Sequence, residues 1–191
     1  MSGLTIVAVT GNLSHPSRTV ALAETITAAV VAITGGEQRL VEISAVGSSL
    51  GRALQRSQLS AEAEQAIALV ERADVLVVAS PVYKGSYTGL LKHLFDFIHA
   101  DALVERPVVL AATGGSDRHA LVLEHQLRPL LGFFRAHPVP TTLYATEEDF
   151  DGYRLTSAEL TQRVSAAARQ VANLLVSRGE KVNGLTVPLA I

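Results

Sequence analysis

The sequence contains no cysteine, which excludes disulfides, thiol catalysis, iron–sulfur clusters and thiolate zinc sites. Net charge is also nearly absent: 16 Lys and Arg against 18 Asp and Glu leave −2 at neutral pH. That gives no electrostatic case for nucleic acid or for an acidic membrane surface as a partner. No apolar run reaches the length of a membrane span. The start, Met1-Ser2-Gly3-Leu4, lacks a basic region followed by an apolar stretch and a cleavage site, so the chain reads as soluble and cytoplasmic. Several motifs are missing as well. The six histidines, His15, His93, His99, His119, His125 and His137, form neither His-x-x-x-His nor His-Glu-x-x-His, and no metal is expected. Ser80, Ser86 and Ser116 lie in no G-x-S-x-G elbow. No constellation of catalytic acid, base or nucleophile stands out.

What is present is a regular alternation. The 191 residues, 48% of them hydrophobic, suit one compact domain over 1–191. Apolar or β-branched runs predict strands at 4–9, 38–43, 74–78, 106–112 and 139–145. The second is more polar and the fifth holds Pro140, which places both toward sheet edges. Helical spacing follows each: from a Ser17 cap to Gly35-Gly36, from a Ser60 cap to 72, over 90–98, over 118–136, and from Thr156 to 177. Residues 45–59 read as a loop with a short helix, 147–153 as a solvated acidic loop, and 179–191 as an extended tail. Strands alternating with helices imply a parallel sheet covered on both faces. The expected fold is α/β, a flavodoxin-like three-layer sandwich with strand order 2-1-3-4-5. Its switch point lies between strands 1 and 3.

Three loops then end at one rim of the sheet. After the third strand comes Pro81-Val82-Tyr83-Lys84-Gly85-Ser86, running on to Gly89. Pro81 stops the strand's hydrogen bonding, and Gly85 lets backbone approach something flat or charged. An ordinary turn explains the same residues. After the first strand, Asn12, Ser14, Ser17, Arg18 and Thr19 surround the amino end of a helix, where free N–H groups and the helix dipole favour an anion. The alternative is a well-capped helix with an exposed Arg. This loop is neither G-x-G-x-x-G nor G-x-x-x-x-G-K-[ST], so a dinucleotide or triphosphate site is not indicated and a single phosphate fits better. After the fourth strand, Thr113-Gly114-Gly115-Ser116 leaves room for a planar group, or is a simple turn. The functional reading rests on all three loops converging.

Pro81-Val82-Tyr83-Lys84-Gly85-Ser86-Tyr87-Thr88-Gly89-Leu90-Leu91-Lys92 resembles the hallmark of NAD(P)H-dependent FMN reductases. Ala112-Thr113-Gly114-Gly115 with His119 and Leu127-Arg128-Pro129, and Pro16-Ser17-Arg18-Thr19 in the first loop, resemble the members that supply reduced flavin to sulfonate monooxygenases. The likeness covers roughly residues 4–178. It implies an enzyme that transfers a hydride from NAD(P)H to FMN and delivers reduced flavin to a flavin-dependent monooxygenase. It also implies that Ser17, Arg18 and Thr19 hold the phosphate, and that backbone N–H groups over 83–86 stabilise charge on the reduced ring. Where some members carry an inserted Tyr that makes a π-bulge at a tetramer interface, this chain has His125, as in the methanesulfonate-linked subgroup. Two other readings stand beside this one: a quinone or azo-dye reductase with permanently bound FMN, and a flavodoxin-like electron carrier, which its near-neutral charge disfavours.

The predicted helix over 118–136 carries two apolar stripes. Leu123, Leu127, Leu130 and Phe134 suit the sheet. Val122, Pro129 and Phe133 form a second, expected to meet another copy in a homodimer or homotetramer; cover from the acidic loop or the tail is the alternative.

Overall fold

The computed structural model describes residues 3–180 and Val182; the tail expected over 179–191 lies almost wholly outside them. Three runs of apolar residues form the centre of one sheet: β1 (Thr5–Thr10), β3 (Val75–Pro81) and β4 (Pro107–Thr113). They are buried almost end to end, as strands covered on both faces are. β2 (Glu37–Glu42) lies outside β1 and exposes four of its six residues. The order is β2-β1-β3-β4-β5, the last being His137–Pro138, with every pair parallel, which is the flavodoxin-like order expected. Side chains alternate across the sheet. Ile6, Ala8, Val75, Val77, Val109 and Ala111 pack in the layer of α1 (Arg18–Thr34) and α6 (Ala158–Ser177). Val7, Val9, Leu76, Val78, Val108 and Leu110 pack in the layer of α2 (Ile43–Leu50), α3 (Ala61–Glu71) and α4 (Gly89–Phe97). No helix among the described residues is long and apolar enough to cross a membrane.

The helix ends follow local chemistry. Ser17 Oγ accepts from the Val20 amide at 3.3 Å, and Gly35 closes α1 in the left-handed region. Ser60 caps α3 in the same way. The last helix is capped by Ser157, one residue past the expected Thr156. Ile43, expected at the end of the second strand, instead opens α2.

Two expectations are corrected. The fifth strand is not continuous over 139–145. It is two short pieces, β5 (His137–Pro138) and β6 (Leu143–Ala145), both beside β4. Val108 pairs with Pro138 and Ala111 with Leu143, so three steps on β4 match five on the edge. Pro140 sits in the surplus, where its missing N–H interrupts the ladder. Gln170 ties the bulge down by accepting from the Thr141 amide at 3.0 Å and donating to Thr141 Oγ1 at 2.8 Å.

The helix over 118–136 is also broken up, into a 3₁₀ turn (Asp117–His119), a π-helical turn (Leu123–Leu127) and α5 (Arg128–Phe133). Pro129 directly follows the π turn. In an α-helix its ring would clash with the carbonyl of His125 and leave that carbonyl unbonded; the wider turn relieves this. The extra residue in that turn rotates the helix beyond it. Ahead of the turn, Val122, expected outside, is buried; within and beyond it so are Leu123, Leu127, Leu131 and Phe134. Pro129 is exposed, and so are Leu121 (64%) and Phe133 (69%).

Candidate functional site

The carboxyl ends of β1, β3, β4 and β6 meet at one rim, where open α/β sheets bind ligands. A cavity of about 330 Å³ opens there. Of the residues expected from sequence, Asn12, Ser14, Ser17, Arg18, Thr19, Pro81, Val82, Tyr83, Thr113, Gly114 and Gly115 line it. Lys84, Gly85, Ser86 and Ser116 do not. Leu13 and Pro16 of the first loop line it as well, with Thr146, Glu147 and Tyr153 from beyond the edge strand, which sequence reasoning does not place in the site.

The loops are tied to one another. Thr88 Oγ1 donates to Gly11 O at 2.9 Å, and the Thr88 amide donates to Ser80 Oγ at 3.1 Å. The buried hydroxyls of Thr19 and Thr113 lie 2.6 Å apart. Tyr144 Oη donates to Ser116 O at 2.7 Å, which explains how Ser116 serves the rim without facing the cavity. Burial, with Asp117 nearby, pushes the Tyr144 hydroxyl up from its ordinary value, so it remains a donor at neutral pH. A Cβ at Gly114 would lie 2.0 Å from that hydroxyl.

At the α1 end, the amides of Arg18 and Thr19 are the first two of the helix and have no acceptor among the described residues. Asn12 contributes differently from expectation. Its side chain accepts from Thr10 Oγ1 at 2.8 Å and donates to Ser14 O, Glu42 Oε2 and Ser44 Oγ. It is committed to holding the loop against β2 and α2. The Arg18 guanidinium lies across the mouth, with Nη2 2.6 Å from Glu147 Oε1, Nε donating to Gly152 O at 3.1 Å, and Cζ 5.6 Å from the Tyr153 ring centroid.

At the β3 end, residues 83–86 form a two-residue hairpin. Lys84 and Gly85 both have positive φ (52° and 82°), the backbone of a type I′ turn, where glycine is favoured. The Tyr83 and Ser86 amides are therefore used, donating to each other's carbonyls at 2.8 and 3.2 Å. Of the four amides expected to face a ring, only those of Lys84 and Gly85 have no partner among the described residues. Ser86 Oγ donates to Gln126 Oε1 at 3.2 Å, joining this hairpin to the π turn.

Glu147 and Tyr153 arrive by way of β7 (Phe150–Asp151) and β8 (Arg154–Leu155), a small antiparallel hairpin. The acidic loop is therefore part of the site and not only a solvated stretch. The signal available in the sequence was positional: this loop follows the edge strand and so reaches the same rim. A larger groove next to it, about 560 Å³, is lined by Asp117, Glu124, Glu148, Asp149 and Glu159 against Arg163 alone, which disfavours an anion there.

The arrangement therefore offers amides without partners among the described residues, one guanidinium and a pair of glycines on the lining of a single cavity. Residues 4–151 match the profile of the family described as NADPH-dependent FMN reductase. An NADH-dependent FMN reductase, SfnF, of Pseudomonas fluorescens (strain Pf0-1) is 50% identical over 171 residues, 90% of this chain and 91% of that protein. An FMN reductase (NADPH) of Pseudomonas aeruginosa is 48% identical over 175 residues, 92% of this chain and 94% of that protein. Among solved structures, an oxidoreductase from Corynebacterium diphtheriae matches with a TM-score of 0.81 at 38% identity, covering 93% of this chain and 99% of that one. The chain belongs to the NADPH-dependent FMN reductase family.

Proposed function

We infer that the rim cavity is where FMN binds and that the enzyme is cytoplasmic and hands reduced FMN to a flavin-dependent monooxygenase, one acting on sulfonates. The observation that carries the site assignment is a rim cavity lined by Arg18 and Thr19, whose amides are unpaired among the described residues, and by Tyr83, which leads into the turn holding the unpaired amides of Lys84 and Gly85. Those of Arg18 and Thr19 suit a phosphate, and those of Lys84 and Gly85 suit a ring that gains negative charge on reduction. FMN, when bound, supplies the redox chemistry by taking up a hydride from NAD(P)H. The protein's part is to fix the phosphate with Ser17, Arg18 and Thr19, to seat the ring against Pro81, Val82, Tyr83, Gly114 and Gly115, and to hold both in one frame. No side chain is needed to move a proton.

NADH and NADPH oxidation measured with FMN, FAD and riboflavin tests the reaction, and Gly114→Val tests the site. A branched side chain there displaces Tyr144 and narrows the slot. It should lower kcat/KM for FMN by about tenfold or more, since misplacing reacting groups by about 1 Å costs on that scale. Unchanged kinetics would move the site elsewhere. The partner is tested by whether the enzyme drives sulfonate oxidation when mixed with a flavin-dependent monooxygenase.

The exposed ridge of Leu121, Pro129 and Phe133 supports a homodimer or homotetramer. Phe133→Glu should shift sedimentation to smaller species; an unchanged mass would defeat this assignment.

A further inference from the structure

We propose that Glu147 is a resident competitor for the flavin phosphate, holding the guanidinium that the phosphate needs and so keeping FMN a readily exchanged substrate. This rests on the reading that Arg18 takes that phosphate. Among the described residues, Arg18 is the only Lys or Arg lining the cavity, and Glu147 is its only carboxylate. The two are in contact, at 2.6 Å. An arginine grips an oxyanion best through two parallel N–H groups. Here the Nε and Nη2 side is already divided between Gly152 O and Glu147, and Nη1 has no partner among the described residues. A phosphate arriving at the amides of Arg18 and Thr19 can meet the Nη1 edge with the carboxylate in place, but it then sits beside a like charge, and it gains the Nε and Nη2 side only by displacing Glu147.

The displacement is cheap enough for binding to proceed. Glu147 is 73% exposed and Arg18 35%, the regime in which an ion pair contributes little. The backbone that carries Glu147 is held without its side chain. Asp149 Oδ2 accepts from the Thr146 amide at 2.8 Å and from Thr146 Oγ1 at 3.3 Å, and the Asp149 amide donates to Thr146 O. The carboxylate is thus presented to Arg18 by a turn that does not depend on it. Glu148, the next residue, faces the neighbouring acidic groove.

The test is the affinity of purified protein for FMN and riboflavin by fluorescence quenching, in wild type, Glu147→Gln, Arg18→Ala, the double variant and Glu148→Gln. Glu147→Gln should tighten FMN by about fivefold, a surface-pair effect, and leave riboflavin unchanged. FMN dissociation in stopped flow should slow to match. Glu148→Gln should change neither. The gain should vanish when Arg18 is already Ala, because a true competitor acts through the group competed for. Weaker or unaltered FMN binding in Glu147→Gln would make Glu147 a support for Arg18 and overturn the proposal. So would a gain that persists in the double variant, or an equal gain in Glu148→Gln, since either reports general charge. If Arg18→Ala weakens FMN and riboflavin alike, the phosphate reading itself is wrong. If it weakens FMN selectively while Glu147→Gln does not tighten it, only the competitor fails.

Discussion

Arg18 and Arg56 are two arginines of nearly equal exposure, 35% and 37%, each bonded to carboxylate. They differ in how much of the guanidinium is used. Arg56 reaches Glu64 through Nε and Nη2 at 2.7–3.1 Å and Glu71 through Nη1 and Nη2 at 2.6 and 3.0 Å, and Nη1 also donates to Phe97 O at 3.2 Å. Every edge of the fork is closed. It joins the turn Arg56–Gln58, α3 and the end of α4, and the Glu71 carboxylate also accepts from the His99 amide. Arg18 has one carboxylate, one carbonyl, an aromatic face and an Nη1 without a partner among the described residues, at the edge of a cavity. A saturated guanidinium is a staple; one with a spare edge facing a cavity can still bind something.

The largest effect that would break this contrast is on ligand affinity. Arg18→Ala should weaken FMN by roughly 1.5–3 kcal/mol, the loss of a charge-assisted contact, while riboflavin affinity and the thermal midpoint hardly move. Arg56→Ala should do the reverse. It leaves Glu71, with its side chain only 18% exposed, without its main counter-charge. Discounted for the exposure of the rest of the network, the cost is about 1–2 kcal/mol, or ~2–8 °C in Tm for a chain of this size, with the KM for FMN unchanged. If Arg56→Ala altered FMN binding, or Arg18→Ala melted the protein early, the division would collapse.

A smaller effect sharpens it. The Arg56 guanidinium holds the Glu64 carboxyl below its ordinary 4.5. Burial opposes the same shift at Glu71, but Arg56 and the His99 amide prevail there too. A depressed carboxyl stabilises the fold above its unfolded value, and that stability is lost as pH falls through the folded one. The Tm gap between wild type and Arg56→Ala should therefore be full at pH 6–7 and narrow below pH 4.5. A gap independent of pH would show that Arg56 acts through packing alone.

The parts of this molecule legible in its sequence are those decided by local or nearly local physics. β1, β3 and β4 read correctly because strands buried on both faces must be apolar throughout. The Ser17 and Ser60 caps and the Gly35 stop are chemistry of a few adjacent residues. The rim loops could be collected into one site because their place follows from strand order alone. The rest depended on distant partners. Glu147 meets Arg18 across 129 positions of sequence, and nothing in the acidic loop itself announces that. Asn12 lines the cavity as expected, but its bonds to Glu42 and Ser44, thirty and more positions away, could not be read from its loop. The π turn follows from a conflict between Pro129 and the helix around it, resolved by one extra residue, and Val122, read from helical spacing as part of the outer stripe, is in the core.

The cross-ties of the rim have a kinetic consequence. With Thr88 bonded to Gly11, Thr19 to Thr113 and Tyr144 to Ser116, the loops hold their arrangement through their own hydrogen bonds. Little ordering is left for a ligand to impose. Flavins of different affinity should therefore enter at similar rates in a single phase, and their differences should lie in how long each one stays. For an enzyme that must let its product go, the length of stay is the quantity that a rigid frame leaves to individual side chains at the mouth.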